Sequence, residues 1–329
     1  MYKFFITEID KCEKLWKSYF IPKNISDLWD FRICFNNHYS FKPCFLVIEE
    51  KGIIVGILPL SYVEERDMFA FFPGEIWEGK TWMERTPYFA RNRRIFRALL
   101  KACPERTLLR YLEPPAGGIF PEMGVDENGY VLYPGALNFD ESGYEQLFSR
   151  KKYKAIKKVI ESFYSKNHSF HVNRLTDFDL MVEMNVDQFR ERSYLFDPRF
   201  RESFRDVMHF LYRENMLRMI SIEIEGRIAA VDIGAVYSGT YTVFLGGTDR
   251  DFPGIAKLMN MYHINYAFTE KMDKIDFLCG DFHWKKLWHL EPEQLYIFES
   301  PSLLSEIIDS KLREIDSSNL HQSSSISLN

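Results

Sequence analysis

Nowhere in the 329 residues do about 18 apolar residues run together, so no membrane-spanning helix is expected. Cysteine is sparse and unpatterned: Cys12, Cys34, Cys44, Cys103 and Cys279 are odd in number, and none sit at Cys-x-x-Cys spacing. That argues against a disulfide framework and against a zinc site, so no metal is expected, and it suits a reducing cytoplasm. Neither sign of charge dominates. Forty-two Lys and Arg stand against 47 Asp and Glu, a formal net charge of -5, so the chain as a whole does not read as a nucleic-acid binder and any polyanion site must be local. The first residues, Met1-Tyr2-Lys3-Phe4-Phe5-Ile6-Thr7-Glu8, reach an acid too early for a signal peptide. Four catalytic signatures are missing: GxGxxG, GxxxxGK[ST], HExxH and GxSxG. The commonest dinucleotide, P-loop, metalloprotease and serine-hydrolase readings go with them.

What is abundant is aromatic: 29 Phe and 18 Tyr help bring Phe, Trp and Tyr to 16%. A large ring-filled core accounts for them, with a ring-lined groove as the alternative. The length favours two domains, and an internal repeat supports that. Residues 45–60 (FLVIEEKGIIVGILPL) and 219–234 (MISIEIEGRIAAVDIG) each read as apolar run, turn, apolar run, with Gly52 and Gly226 in equivalent places. Both predict a β-hairpin whose turn needs positive φ. Thr240–Leu245 predicts a third strand after the second hairpin.

Between the copies, 113–135 is rich in Pro and Gly and predicts loop with a short strand. Tyr153, Ile156, Val159, Ile160 and Phe163 then recur at helical spacing behind Ser149 as N-cap, with Arg150, Lys151, Lys152, Lys154, Lys157, Lys158 and Lys166 making a basic run. That run is a solvated face or a landing surface for a polyanion. Thr176-x-x-Asp179 suggests a capping box at a second helix, and a third is expected over 201–217. Pro253-Gly254 opens a helix to about Lys271. Strands follow at 274–279 and 294–298, then a short helix from Pro301 to about Ile315. The Ser-rich 317–329 tail reads as disordered. The order is that of an α+β fold rather than a Rossmann alternation.

The segment most suggestive of chemistry is Ile275–Trp288, IDFLCGDFHWKKLW. An apolar strand breaks at Gly280 into a polar, aromatic and basic loop, the place where a rigid sheet presents reactive groups. An ammonium there can neutralise a phosphate or a developing oxyanion. Asp276-Phe277-x-x-Gly280-x-x-x-Trp284-Lys285-x-x-Trp288 resembles the DF-x-x-G-x-x-x-[YF]-K-x-x-W signature of the CelD-like branch of the GNAT superfamily, which is similar to the Fem-type aminoacyl transferases. Phe252-Pro253-Gly254 and the basic 150–160 stretch agree, and the resemblance spans roughly 45–300. Trp284 stands where Tyr or Phe is usual.

The resemblance implies two tandem GNAT-like domains, each a mixed, mostly antiparallel sheet flanked by helices. Residues 1–140 form the structural or acceptor side, and 141–316, with the basic linking helix 149–166, the catalytic half. It implies an N-acyltransferase in which an amine attacks a thioester directly, with acyl-CoA or acetyl-CoA as donor and Lys285 at the reaction centre. The alternatives are a Fem-like aminoacyl transferase using charged tRNA, an acyl-carrier-protein donor, and an inactive GNAT-fold binding module. Arg250, Pro253, Gly254, Ile255, Lys257 and Gly280 are the candidate donor-binding residues, although this loop has one glycine where GNAT pyrophosphate loops have two. Asp232, an acid inside a strand, is the base candidate and His283 a second. Cys279 reads as a buried, inert thiol. The acceptor is a small-molecule, sugar or peptide amine, and the loop from Gly74 to Trp82 is a candidate lining for its groove.

Overall fold

A computed structural model describes residues 1–77 and 80–303. The 317–329 tail, most of the expected 301–315 helix, and Glu78 and Gly79 of the expected groove loop lie outside the described residues.

Both predicted hairpins form. Phe45–Glu50 pairs with Ile53–Leu58, and Leu217–Ile224 pairs with Arg227–Tyr237. The two turns are built alike: Lys51 and Gly52 at φ 52° and 76°, Glu225 and Gly226 at 54° and 82°. Positive φ at both central residues is the hairpin geometry that matches strand twist, and glycine takes it without a Cβ penalty.

The first half is built on a four-stranded sheet of Tyr2–Ile6, Phe45–Glu50, Ile53–Leu58 and Phe89–Ala90. Helix Arg93–Leu100 is N-capped by Asn92 and buries Ile95, Phe96 and Leu99 on it. The second half is organised by an eight-stranded sheet in the order Leu108–Leu112, Glu291–Glu299, Met123–Leu132, Lys274–Cys279, Thr240–Thr248, Arg227–Tyr237, Leu217–Ile224, His168–Val172. Leu108–Leu112 and Met123–Leu132 thus leave the first half of the sequence to complete the sheet of the second.

The second-half sheet is covered on both faces. Ile220, Ile222 and Ala230 point to helices Arg150–Tyr164 and Ile255–Thr269. Met219, Val231 and Ile233 point to helices Phe178–Phe189 and Pro198–Arg213. One cluster of aromatics lies on this second face, where the halves meet. Phe31, Phe35 and Trp82 of the first half interlock with Phe200, Phe204 and Phe244, ring centroids 5.2–6.4 Å apart. Such pairs contribute about 0.5–1.5 kcal/mol each beyond the area they bury.

Three local expectations change. Met123–Leu132 is a ten-residue strand instead of mostly loop, because it is held between two long-range partners. Helix Phe178–Phe189 has no side-chain cap, and Asp179 binds Arg205 instead of closing a capping box. The third helix is Pro198–Arg213, N-capped by Asp197, so Leu217 already belongs to a strand. Ser149 does cap the basic helix, accepting from Lys152 N at 3.4 Å.

Candidate active site

One strand pair in the described sheet is parallel, and it separates. Thr240–Thr248 and Lys274–Cys279 pair at Thr240–Lys274, Tyr241–Ile275 and Thr242–Asp276 and then part. The cause is local. Asp276 Oδ1 accepts the Leu278 N–H at 2.9 Å, an Asx-type turn that competes with the ladder. Leu278 takes φ 59° and Gly280 φ 99°. Beyond Thr242, Thr240–Thr248 has no strand partner on that side among the described residues.

The same turn aims two carbonyls at a lysine. Short helix His283–Leu287 carries Lys285, and its Nζ donates to Leu278 O at 2.8 Å and Cys279 O at 2.6 Å. Lys285 is 2% exposed. Its Nζ also lies 5.1 Å from the Tyr130 ring. Burial depresses its ammonium to about 8, against the pull of Glu84 and neighbouring acids. An ammonium has three hydrogens, and the two carbonyls take two. The third has no hydrogen-bond acceptor among the described residues.

Around the lysine is a buried ionic cluster drawn from both halves. Arg85 NH1 binds Asp276 Oδ2 at 3.1 Å and Glu84 Oε2 at 3.4 Å, while NH2 binds Glu293 Oε2 at 2.8 Å. Tyr133 donates to the other oxygen of Glu293, and Lys274 Nζ lies 3.4 Å from Asp276. Arg85 itself sits at φ 51°, an uncommon backbone state for arginine. Glu84 accepts the Cys279 N–H, and burial pushes its carboxyl up to about 7, opposed chiefly by Arg85. The Cys279 thiol, half-buried rather than buried, is pushed far up by the same burial and by Glu84.

Asp232 lies elsewhere. It faces helix Ile255–Thr269, where Oδ2 meets His263 Nε2 at 3.0 Å, and His263 Nδ1 meets Tyr241 OH at 2.7 Å. His263 and Tyr241 are fully buried. Asp232 and Lys285 share no contact among the described residues. His283 is exposed at the start of its short helix.

Gly254 precedes helix Ile255–Thr269 at φ 91°, and Val159 of the basic helix packs beside it, so that helix runs past the N-terminus where an anion is favoured. Lys257 is exposed there, whereas Arg250 is engaged with the Asp187 carbonyl. Asp249 and Asp251 are tied to Arg227.

Residues 149–286 match the acetyltransferase (GNAT) domain family. The whole chain superposes on FemX at a TM-score of 0.57 and 8% identity, covering 94% of this chain and 100% of that one. It superposes equally broadly on a tandem GNAT protein from the clavulanic acid biosynthesis pathway, TM-score 0.53, 11% identity, 92% and 99% covered. The fold is that of a tandem GNAT protein, shared with FemX. A conserved protein of unknown function from Bacteroides thetaiotaomicron shares it, TM-score 0.53, 12% identity, 90% and 98% covered. Comparison with curated proteins gives no match. No helix among the described residues is long and apolar enough to cross a membrane.

Glu84, Arg85, Tyr130 and Glu293 were not legible as site residues in the sequence. The one available cue was an adjacent Glu-Arg pair next to Trp82 and Met83, and nothing local joins it to Lys285 some 200 residues on.

Proposed function

We propose that this tandem GNAT chain is an N-acyltransferase that moves an acyl group from a thioester donor, acyl-CoA or acetyl-CoA, to an amine. One observation carries the reading: a buried lysine, fixed by two backbone carbonyls, stands at the point where the parallel strands part. The donor's extended arm lies along the freed edge of Thr240–Thr248. Its phosphates sit at the N-terminus of Ile255–Thr269, near Gly254, Ile255 and Lys257. The amine attacks the thioester carbon, the carbonyl oxygen gains charge, and the Lys285 ammonium stabilises it in a site with little water. The C–S bond breaks and the thiol leaves. No covalent enzyme intermediate is required. In this reading the chain works in the cytoplasm, where CoA thioesters and small amines meet.

A second reading, transfer from charged tRNA, is favoured by one feature. Lys151, Lys152, Lys154, Lys157 and Lys158 are exposed, and none forms an ion pair among the described residues. A donor panel separates the two: acetyl-CoA, longer acyl-CoAs, free CoA and deacylated tRNA, read by thermal stabilisation. A ligand at a hundred times its Kd adds about 2.7 kcal/mol to the folded state. Stabilisation by CoA species supports the first reading. Stabilisation by tRNA alone, collapsing with salt, supports the second.

A further inference from the structure

Leu278 C=O and Cys279 N–H are the two polar ends of one peptide group, and in a trans peptide they point in opposite directions. The Lys285 ammonium donates to the oxygen end at 2.8 Å, and a Glu84 carboxylate oxygen accepts from the nitrogen end. Cation and anion thus sit at the negative and positive ends of one peptide dipole, a chain in which each hydrogen bond polarises the next. The turn needs such a grip. Leu278 holds φ 59°, a state that a bulky residue keeps only when its surroundings impose it. The peptide groups on both sides of it are held by their N–H, that of Leu278 by Asp276 and that of Cys279 by Glu84. One guanidinium nitrogen, Arg85 NH1, ties the two carboxylates together, Asp276 at 3.1 Å and Glu84 at 3.4 Å. Asp276, Glu84 and Arg85 are all buried.

We propose that Glu84, fixed by Arg85, is a positioning residue for Lys285: from the first half it sets the 278–279 peptide plane and holds the ammonium in its charged form, taking no part in proton transfer. What Lys285 does with its charge rests on the acyl-transfer reading above. Turning that peptide over would withdraw Leu278 O, one of the two carbonyls that hold the lysine. The first half thereby becomes part of the working machinery of the second.

Lys285 faces Glu84, the Cys279 thiol, Asp276 and Glu127, and the rings of Tyr130, Phe282 and Trp284 at 5.1, 5.6 and 5.8 Å. Among the charges Glu84 acts on it most strongly, against the burial that brings the ammonium down to about 8. Glu84 in turn faces Arg85, Asp276 and Cys279 and is pushed up to about 7, while Asp276 has Lys274 at 3.4 Å. Above 7 the Glu84 carboxylate is charged and supports the ammonium. Below 7 it takes a proton and that support fades, but there the lysine stays charged without it. Removing the Glu84 charge therefore lowers the Lys285 value, and the deficit of charged lysine is largest near pH 8 and small near pH 6.

The test starts with the full chain and no ligand, titrated by NMR. It follows the Lys285 side-chain nitrogen, assigned by its absence in Lys285→Met, and the Cys279 amide. In the wild type the Cys279 amide should inflect near pH 7, as its acceptor gains a proton, and Lys285 near pH 8. Glu84→Gln keeps an acceptor for the Cys279 N–H and loses the charge, so its Lys285 should titrate about one pH unit lower. Thiol release from acetyl-CoA, with 1,5-diaminopentane and glucosamine as amine probes, should then fall about fivefold at pH 8 and less than about twofold at pH 6. A loss equally deep at every pH assigns Glu84 to proton transfer and overturns the proposal, as does a Lys285 titration that Glu84→Gln leaves in place. If thermal unfolding shows that Glu84→Gln does not fold, the wild-type titration decides: a Cys279 amide with no inflection between pH 6 and pH 8 overturns the proposal. Titrations that behave as expected, with no thiol released from any acyl donor, keep Glu84's hold on Lys285 and sink the acyl-transfer reading.

Discussion

Replacing Lys285 by Met keeps most of the side chain's volume and removes its charge, and two opposed effects on stability follow. Leu278 O and Cys279 O lose their donor, at a cost of about 1–3 kcal/mol for buried acceptors left unpaired. The burial penalty on the ammonium disappears as well. A lysine at about 8 instead of its ordinary 10.5 bears a penalty of about 3 kcal/mol while charged in the fold. The sign is fixed by proton binding. Below pH 8 the lysine is charged in both the folded and the unfolded chain, so the fold carries the whole penalty. Between pH 8 and 10.5 the unfolded chain binds more protons, and stability rises with pH. Lys285→Met should therefore unfold near the wild-type midpoint at pH 7 and well below it at pH 10, because only the wild type gains on the way up. Denaturant unfolding at the two pH values measures this.

In activity, thiol release from acetyl-CoA with 1,5-diaminopentane should fall by about 100- to 1,000-fold, the cost of losing one oxyanion donor. The wild-type rate should decline above pH 8, as the ammonium discharges. A variant that turns over within threefold of wild type, or a wild type whose alkaline limb lies far from pH 8, would refute the role given to Lys285.

A Cβ at Gly129 would run into the Arg85 guanidinium, which three carboxylates pin. Gly129→Ala should cost about 3 kcal/mol by thermal unfolding, as a buried charge loses its partners. Asp232→Asn should weaken the tie to His263 and cost about 1 kcal/mol in denaturant. A loss of kcat far beyond that would return Asp232 to the proton path. Gly247→Ala places a Cβ 2.5 Å from Met181 O and 2.8 Å from Met184 Cβ, so helix Phe178–Phe189 must shift. The expected loss is about 1–3 kcal/mol, read as a lower Tm.

The parts of this fold that could be read from the sequence are those whose cause is local. The Lys51-Gly52 and Glu225-Gly226 turns announce their hairpins because the turn type demands those φ values nearby. The 255–269 helix follows directly from Pro253-Gly254 and its apolar stripe. Met123–Leu132 was obscured because Asp126-Glu127-Asn128 and two glycines break the alternation. Its strand state comes from two distant neighbours, with Gly129 leaving room for Arg85. Lys285 was reached through a family signature, and the structure supplies a physical role for that signature's Asp276: it bends the strand so that two carbonyls meet the lysine. Glu84 and Arg85 could not be found that way, since only tertiary pairing brings residues 84–85 to residue 276.

Leu108–Leu112 and Met123–Leu132 find their sheet partner in Glu291–Glu299. On the ribosome, which releases the chain from its N-terminus, Leu108–Leu112 waits for Glu291–Glu299, and Met123–Leu132, which can pair earlier with Lys274–Cys279, has its second edge unpaired until nearly the last described residues emerge. The ionic cluster around Arg85, which needs Asp276 and Glu293, waits with them. A nascent chain halted between residues 285 and 291 therefore holds Lys285 beside an unfilled sheet edge, and the frame of the candidate site is completed late in synthesis.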